Sequence, residues 1–181
     1  MVADSSQTTG LKWATASAGA LTLITQGTFS SSAGVNIDSC FTSTYTNYLV
    51  VWDRITSAST QGQFQFRSGG STNTNATYNW SSYYIPLGSS PLGYEVGGSQ
   101  TSVSTGMGES SSITSVTMLY VFQPQASQYT TYTWTNQHGG GYTQWGGGRF
   151  ANTTSFDGIR LAPASGNFTS GSYQVYGLAK S

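Results

Sequence analysis

Few side chains in this chain can do acid–base or nucleophilic work. It has one histidine, His138, one cysteine, Cys40, and six acids, Asp4, Asp38, Asp53, Glu95, Glu109 and Asp157. A zinc site takes three or four His, Cys, Asp or Glu ligands, and His138 and Cys40 lie far apart in sequence. A serine triad of the elbow type would show Gly-x-Ser-x-Gly, which does not occur. Glycoside hydrolysis needs two carboxylates flanking a cleft. Glu95 and Glu109 share one irregular stretch, and their pairing stays open. Asp53 neighbours Arg54 on a strand, where adjacent residues face opposite sides. No Asp-x-Asp-x-Gly calcium loop is present. Gly139–Gly141 and Gly146–Gly148 are not followed by Lys-Ser/Thr and lead into no helix, so they read as hairpin ends or close-approach sites rather than phosphate loops. His138 reads as a surface or hairpin-end residue. Cys40, between Ile37 and Phe41, reads as a small buried hydrophobe without a disulfide partner. The expectation is a protein with no catalytic residues, no metal site and no cofactor.

Aromatic surface is what the chain has in excess. Five Trp and twelve Tyr exceed the needs of one core of this size. Aromatic rings stack on sugar faces while Asn, Gln and Ser bind hydroxyls. Trp80, Tyr83, Tyr84, Tyr94, Tyr142 and Trp145, set among Gly, Ser and Asn, are therefore the candidate ligand contacts. The competing use of the same rings is to fill a core or a subunit interface. Four Asn-x-Ser/Thr sequons, at Asn75, Asn79, Asn152 and Asn167, carry little weight in so Ser/Thr-rich a chain.

Composition narrows the partners. Only 7% of the 181 residues are charged and the net charge is zero, against roughly 25% charged residues in an average soluble protein. Lys12, Arg54, Arg67, Arg149, Arg160 and Lys180 are scattered, which disfavours binding nucleic acid through its phosphates. The longest near-continuous apolar run, Val116–Phe122, is far short of the roughly 20 residues a spanning helix needs, so no membrane insertion is expected. Disorder is disfavoured by the aromatic content. A surface of Ser, Thr, Asn, Gln and Gly repels other chains weakly and tolerates close packing. The N-terminus lacks the basic and apolar regions of a signal peptide.

The elements that must carry these residues read as strands. Residues 1–20 form a polar, extended lead-in whose large apolar residues, Leu11 and Trp13, are candidate subunit-docking residues. Residues 21–181 form the domain. Strand-like runs cover Ala20–Phe29, Val35–Phe41, Tyr48–Ile55, Gln63–Arg67 and Thr77–Ile85. Tyr48–Ile55 is apolar on both faces and is expected to lie centrally. Gln63–Arg67 is expected to be half solvated, with Phe64 and Phe66 inward. Pro86–Ser112 reads as a long irregular connection with a short edge strand near Thr101–Ser104. Ile113–Phe122 is the best candidate for a buried strand. Gln128–His138 alternates Tyr132 and Trp134 with Thr131, Thr133 and Thr135. Tyr142–Phe150 returns after the hairpin, and Phe156–Leu161 and Ser172–Lys180 close the chain around a tight turn at Gly166–Gly171. No segment has a helical period. About ten short strands predict an all-β fold, an antiparallel β-sandwich, jelly-roll-like.

Three stretches carry a family resemblance. The lead-in Val2-Ala-Asp-Ser-Ser-Gln-Thr-Thr-Gly-Leu-Lys-Trp-Ala resembles the junction before C-terminal domains of tailed-bacteriophage tail-fibre and virion structural proteins. The ending Gly166-Asn-Phe-Thr-Ser-Gly-Ser-Tyr-Gln-Val-Tyr-Gly-Leu resembles the final strand of such domains. The segment Ile37–Val51, with Phe41, Ser43, Tyr45 and Tyr48 in Phe-x-Ser-x-Tyr-x-x-Tyr spacing, is similar to their middle. The resemblance implies a β-sandwich on the exterior of a virion, commonly homotrimeric, assembled in the host cytoplasm beside other virion proteins. It transfers no binding residue. The repetitive shaft that often precedes such domains is missing, so the chain reads as a short stand-alone structural protein or a piece of a longer fibre. The implied function is host attachment through receptor binding, with a surface glycan or protein as receptor and loops such as Pro86–Ser112 and Gly139–Gly148 as contacts. The alternative is a capsid decoration or head-fibre protein with a purely structural role.

Overall fold

The computed structural model describes residues 20–88, 91–106 and 112–179, and the backbone of 2–3 and 11–12. Two short strands, β1 (Val2–Ala3) and β2 (Leu11–Lys12), pair antiparallel. The domain strands follow: β3 (Leu21–Ser32), β4 (Val35–Ile37), β5 (Asn47–Thr56), β6 (Gly62–Ser68), β7 (Ser71–Thr72), β8 (Tyr78–Pro86) and β9 (Gly93–Gln100). Then come β10 (Val103–Ser104), β11 (Ser115–Phe122), β12 (Thr130–His138), β13 (Tyr142–Phe150), β14 (Gly158–Pro163) and β15 (Phe168–Leu178).

The domain strands form two antiparallel sheets packed as a β-sandwich. The larger sheet has eight strands in the order β3-β15-β5-β11-β12-β13-β8-β9. The smaller has the order β10-β6-β14-β4, with β7 beside β6. The expected β-sandwich class holds. The expected strand number was low, because several strands are only two or three residues long and one lay hidden.

Alternation builds the core. Tyr48, Val50 and Trp52 of β5, Leu119 and Val121 of β11, and Tyr132 and Trp134 of β12 point inward from the large sheet. Phe64 and Phe66 of β6 and Ile159 and Leu161 of β14 meet them from the small one. Phe64 stands edge-on to Tyr132 at 5.2 Å, and Phe66 stacks on Phe156 at 4.8 Å. The Tyr78 hydroxyl stitches the sheets together. It accepts from the Phe66 amide at 2.8 Å and donates to the Asn73 carbonyl at 3.1 Å. Cys40 is free and buried beside this core, as expected.

Five expectations change. Pro86–Ser112 is not mainly irregular: it contains β9, an eight-residue edge strand. Ile113–Phe122 is shorter, starting at Ser115, and buries one face only; Val116 and Met118 are exposed. Gln65 and Arg67 are buried rather than solvated. Gln65 Nε2 donates to the Thr101 carbonyl at 3.0 Å, and Arg67 donates through Nε and Nη2 to the two Asp38 carboxylate oxygens at 2.6 and 3.2 Å. His138 ends β12 at the hairpin but is buried. The two closing strands are not one hairpin: β14 belongs to the small sheet and β15 lies inside the large one, between β3 and β5. The turn between them is short, with Gly166 at φ +69°, and Gly171 is already in β15.

Candidate functional site

The outer face of the large sheet carries no second layer among the described residues, and register shows what it displays. One row crosses all eight strands: Leu23, Tyr176, Leu49, Tyr120, Thr133, Gly147, Ser81 and Val96. The next row includes Val51, Met118, Thr135, Trp145, Tyr83 and Tyr94. Outward Thr131, Thr133 and Thr135 of β12 thus form a polar column. It separates a half on β3, β15, β5 and β11 (the aliphatic half), where aliphatic side chains accompany Tyr176 and Tyr120, from an aromatic half on β13, β8 and β9 that carries the more exposed rings.

The aromatic half is the candidate site. Outward positions alternate with inward ones on β13 and β8, so Trp145 and Tyr83 share a face and sit directly opposite each other. Their ring centroids are 6.4 Å apart, tilted by 31°. Tyr94 pairs with Tyr83 from the edge strand. Trp145, Tyr83 and Tyr94 are 38%, 49% and 72% exposed. Two strand spacings of about 4.8 Å make a platform roughly 10 Å long. Ile85 and Val96, both exposed, flank it.

Beside the platform lies a shallow depression of about 430 Å³. Asn79, Ser81, Thr131 and Arg149 line it, and Gly147 leaves its floor bare. Arg149 stands at the far end, its guanidinium 5.3 Å from the Tyr129 ring centroid. The combination offers flat apolar rings, hydroxyl and amide partners, and one cation.

The other three aromatic candidates point the opposite way. Trp80 packs toward the core, 6.2 Å from Trp134. Tyr84 and Tyr142 approach each other at 6.4 Å on the inward side, and Tyr142 lies 5.9 Å from the His138 ring. The structure therefore brings together half of the six candidates. Leu11 and Trp13 lie outside the residues whose side chains are described, as does Glu109. The expected ligand loops are largely strand: Gly146–Gly148 lie within β13, where β12 and β8 approach closely.

Sequence reasoning missed the inward polar quarter of the large sheet. Arg54 Nη1 donates to Thr117 Oγ1 at 2.7 Å, and Thr117 Oγ1 to Asn136 Oδ1 at 2.8 Å. Gln144 Nε2 donates to Ser82 Oγ at 2.8 Å. All five residues are buried. Their signal was available: they continue the inward phase of Trp52, Leu119 and Trp134. Nearby, burial raises the Glu95 carboxyl above the usual carboxylate range, partly offset by the Gln61 amide 3.4 Å away. The described acids otherwise have structural partners. Asp38 holds Arg67, Asp53 accepts from Ser172, and Asp157 accepts from the Gly69 amide. Among the described residues no three His, Cys, Asp or Glu side chains gather as a metal site.

No protein-family model matches the chain, and no curated protein matches it. Among solved structures, an exo-inulinase from Aspergillus awamori is similar over 87% of this chain, at 16% identity and a TM-score of 0.43. The chain spans 29% of that protein's length.

Proposed function

We propose that this chain is a binding protein rather than an enzyme: an exposed, tail-fibre-type virion domain that attaches to a host surface glycan on the Trp145–Tyr83–Tyr94 platform. The observation that carries the saccharide reading is the exposure of three rings in one register row, next to a hydroxyl-lined depression. Exposed aromatic residues in a row lose water when a sugar face covers them, and the neighbouring Asn, Ser and Thr groups take its hydroxyls. The virion setting rests on the likeness of the lead-in, the middle segment and the ending to bacteriophage fibre domains. A non-enzymatic reading is supported by the structural partners of the described carboxylates and by the absence of any described carboxylate on the aromatic half of the face.

A second reading, capsid decoration with a purely structural role, draws on the aliphatic half of the same face, where Leu21, Leu23, Val116 and Met118 are exposed. Apolar surface of that extent suits packing against another chain, and a homotrimer is the assembly proposed. The recombinant domain tests the choice directly. Attachment requires that it bind host cells and envelope polysaccharide and compete with phage adsorption. Binding only to capsids, with Trp145→Ala inert in every assay, would give the structural role instead.

A further inference from the structure

We propose that the glycan taken by this face is anionic, and that Arg149 reads its carboxylate. This rests on the saccharide reading above and adds the chemical class of the ligand. Four described cations show the contrast. Arg54 is bonded within the core, Arg67 is bound to Asp38, and Arg160 Nη2 donates to the Ala33 carbonyl at 3.0 Å. Arg149 alone of these has its side chain on the open outer face of the large sheet, where it has no carboxylate partner among the described residues. In a chain with so few charges, a cation left on the surface that also carries the aromatic platform is informative.

The geometry suits an extended acidic chain. Arg149 follows Trp145 by four residues on the same face of β13, on the order of 13 Å along the strand. Between them the outward position is Gly147, so a sugar spanning the two would lie over bare backbone. Ser81 on β8 and Thr133 on β12 pair with Gly147, and Thr131 on β12 pairs with Arg149. Tyr129 backs the guanidinium at 5.3 Å. A guanidinium stacked on a ring keeps its N–H edge free for a bidentate carboxylate. The field at that end is unopposed. The only described carboxylate on this face, Asp53, lies three strands away on β5 and accepts from Ser172.

The test uses a panel of uronic-acid-containing bacterial exopolysaccharides and the same polymers with carboxyls reduced to alcohols, titrated against the whole protein. The native form of at least one polymer is expected to bind about ten-fold or more tightly than its reduced form, with an advantage that shrinks as salt rises. Arg149→Gln is expected to bring that ratio close to one. Arg160→Gln, which removes an equal charge from the other sheet, is expected to keep it. Trp145→Ala is expected to weaken both forms alike. Equal binding of native and reduced polymers by the wild-type protein overturns the anionic class and leaves the saccharide reading standing. A ratio that survives Arg149→Gln overturns the assignment of the carboxylate to Arg149 and leaves the saccharide reading standing. Binding of neither form across the panel, or binding indifferent to Trp145→Ala, overturns both.

Discussion

Gly97 of β9 lies against the indole of Trp80 on β8, so close that a β-carbon at residue 97 would overlap the ring. Gly93 stands in the same relation to the Tyr84 phenol. The two glycines occupy inward positions of the edge strand. There they leave room for the side chains of β8, and the intervening residues Tyr94 and Val96 face outward. The edge that carries one third of the aromatic platform is thus seated by the absence of two β-carbons.

Gly97→Ala should therefore destabilise the protein by about 1–3 kcal/mol, the usual range for overpacking. It should also weaken saccharide binding, because Tyr94 moves with β9. Urea unfolding with an unchanged m-value checks the first part and titration with the glycan the second. A variant as stable as wild type, with unaltered affinity, would show that Trp80 gives way freely and that β9 is not seated this way.

Trp145 and Trp134 lie one register step apart on the paired strands β13 and β12 and are opposites in role. Trp145→Ala removes an exposed ring, so stability should stay within about 0.5 kcal/mol while binding weakens by about 1–2 kcal/mol, roughly five- to thirty-fold. Trp134→Ala empties a core position and should cost about 3–5 kcal/mol. Calorimetric titration and denaturant unfolding on both variants separate the two roles. If Trp145→Ala instead lowers stability as Trp134→Ala does, the ring belongs to a packed interface and the platform reading fails.

Strand parity explains both what the sequence disclosed and what it concealed. On β12, large inward residues and outward threonines alternate without interruption, so Tyr132, Trp134 and the threonine face were legible. On β9 the inward positions are Gly93, Glu95 and Gly97, none of them apolar and large, which erases the alternation, and the strand passed for irregular chain. On β8 and β13 the rings occupy both parities. Trp80, Tyr84 and Tyr142 fall in phase with Tyr78 and Phe150, inward; Tyr83 and Trp145 fall out of phase. Choosing the rings by their Gly, Ser and Asn neighbours left parity unused, and composition alone grouped six rings that the pleat divides three and three. Val116 and Met118 misled differently. Apolarity on both faces of β11 reads as full burial, but one of those faces is the uncovered side of the large sheet.

Alkaline pH should destabilise the fold. Burial pushes the Cys40 thiol up to about 12 and raises Tyr78 and Tyr132 above the ordinary tyrosine value. In the unfolded chain a thiol titrates near pH 8.5 and a phenol near about 10. Between those values and the folded ones the unfolded state binds fewer protons, so stability falls as pH rises. It should be unaffected by these groups below about pH 8.5, then decline, with the thiol contributing a slope of at most about 1.4 kcal/mol per unit until near pH 12. Urea midpoints from pH 7 to 11 test this, and Cys40→Ala should flatten the earliest part of the decline while lowering stability throughout. An unchanged early slope in Cys40→Ala would assign it elsewhere.

The aliphatic half of the outer face makes a separate prediction about assembly. Leu23, Tyr176, Leu49 and Tyr120 lie side by side across four strands, with Met118 and Val51 in the row beyond. Leu23 and Met118 are exposed. Among the described residues β3 is also an edge of the large sheet, with no strand paired along its outer side, and open edges invite a further strand. The neutral Ser- and Thr-rich surface offers little charge repulsion against a second copy. Light scattering on the whole protein at micromolar concentration is expected to give three times the mass of the chain. Leu23→Lys with Met118→Lys, two exposed positions whose replacement leaves the core untouched, is expected to give the single-chain mass with an unaltered circular dichroism spectrum, because burying two charges in the interface carries a desolvation penalty no partner charge offsets. Trimers that persist in the double variant would place the contacts elsewhere, and a wild-type protein that stays monomeric across the concentration series would remove the homotrimer.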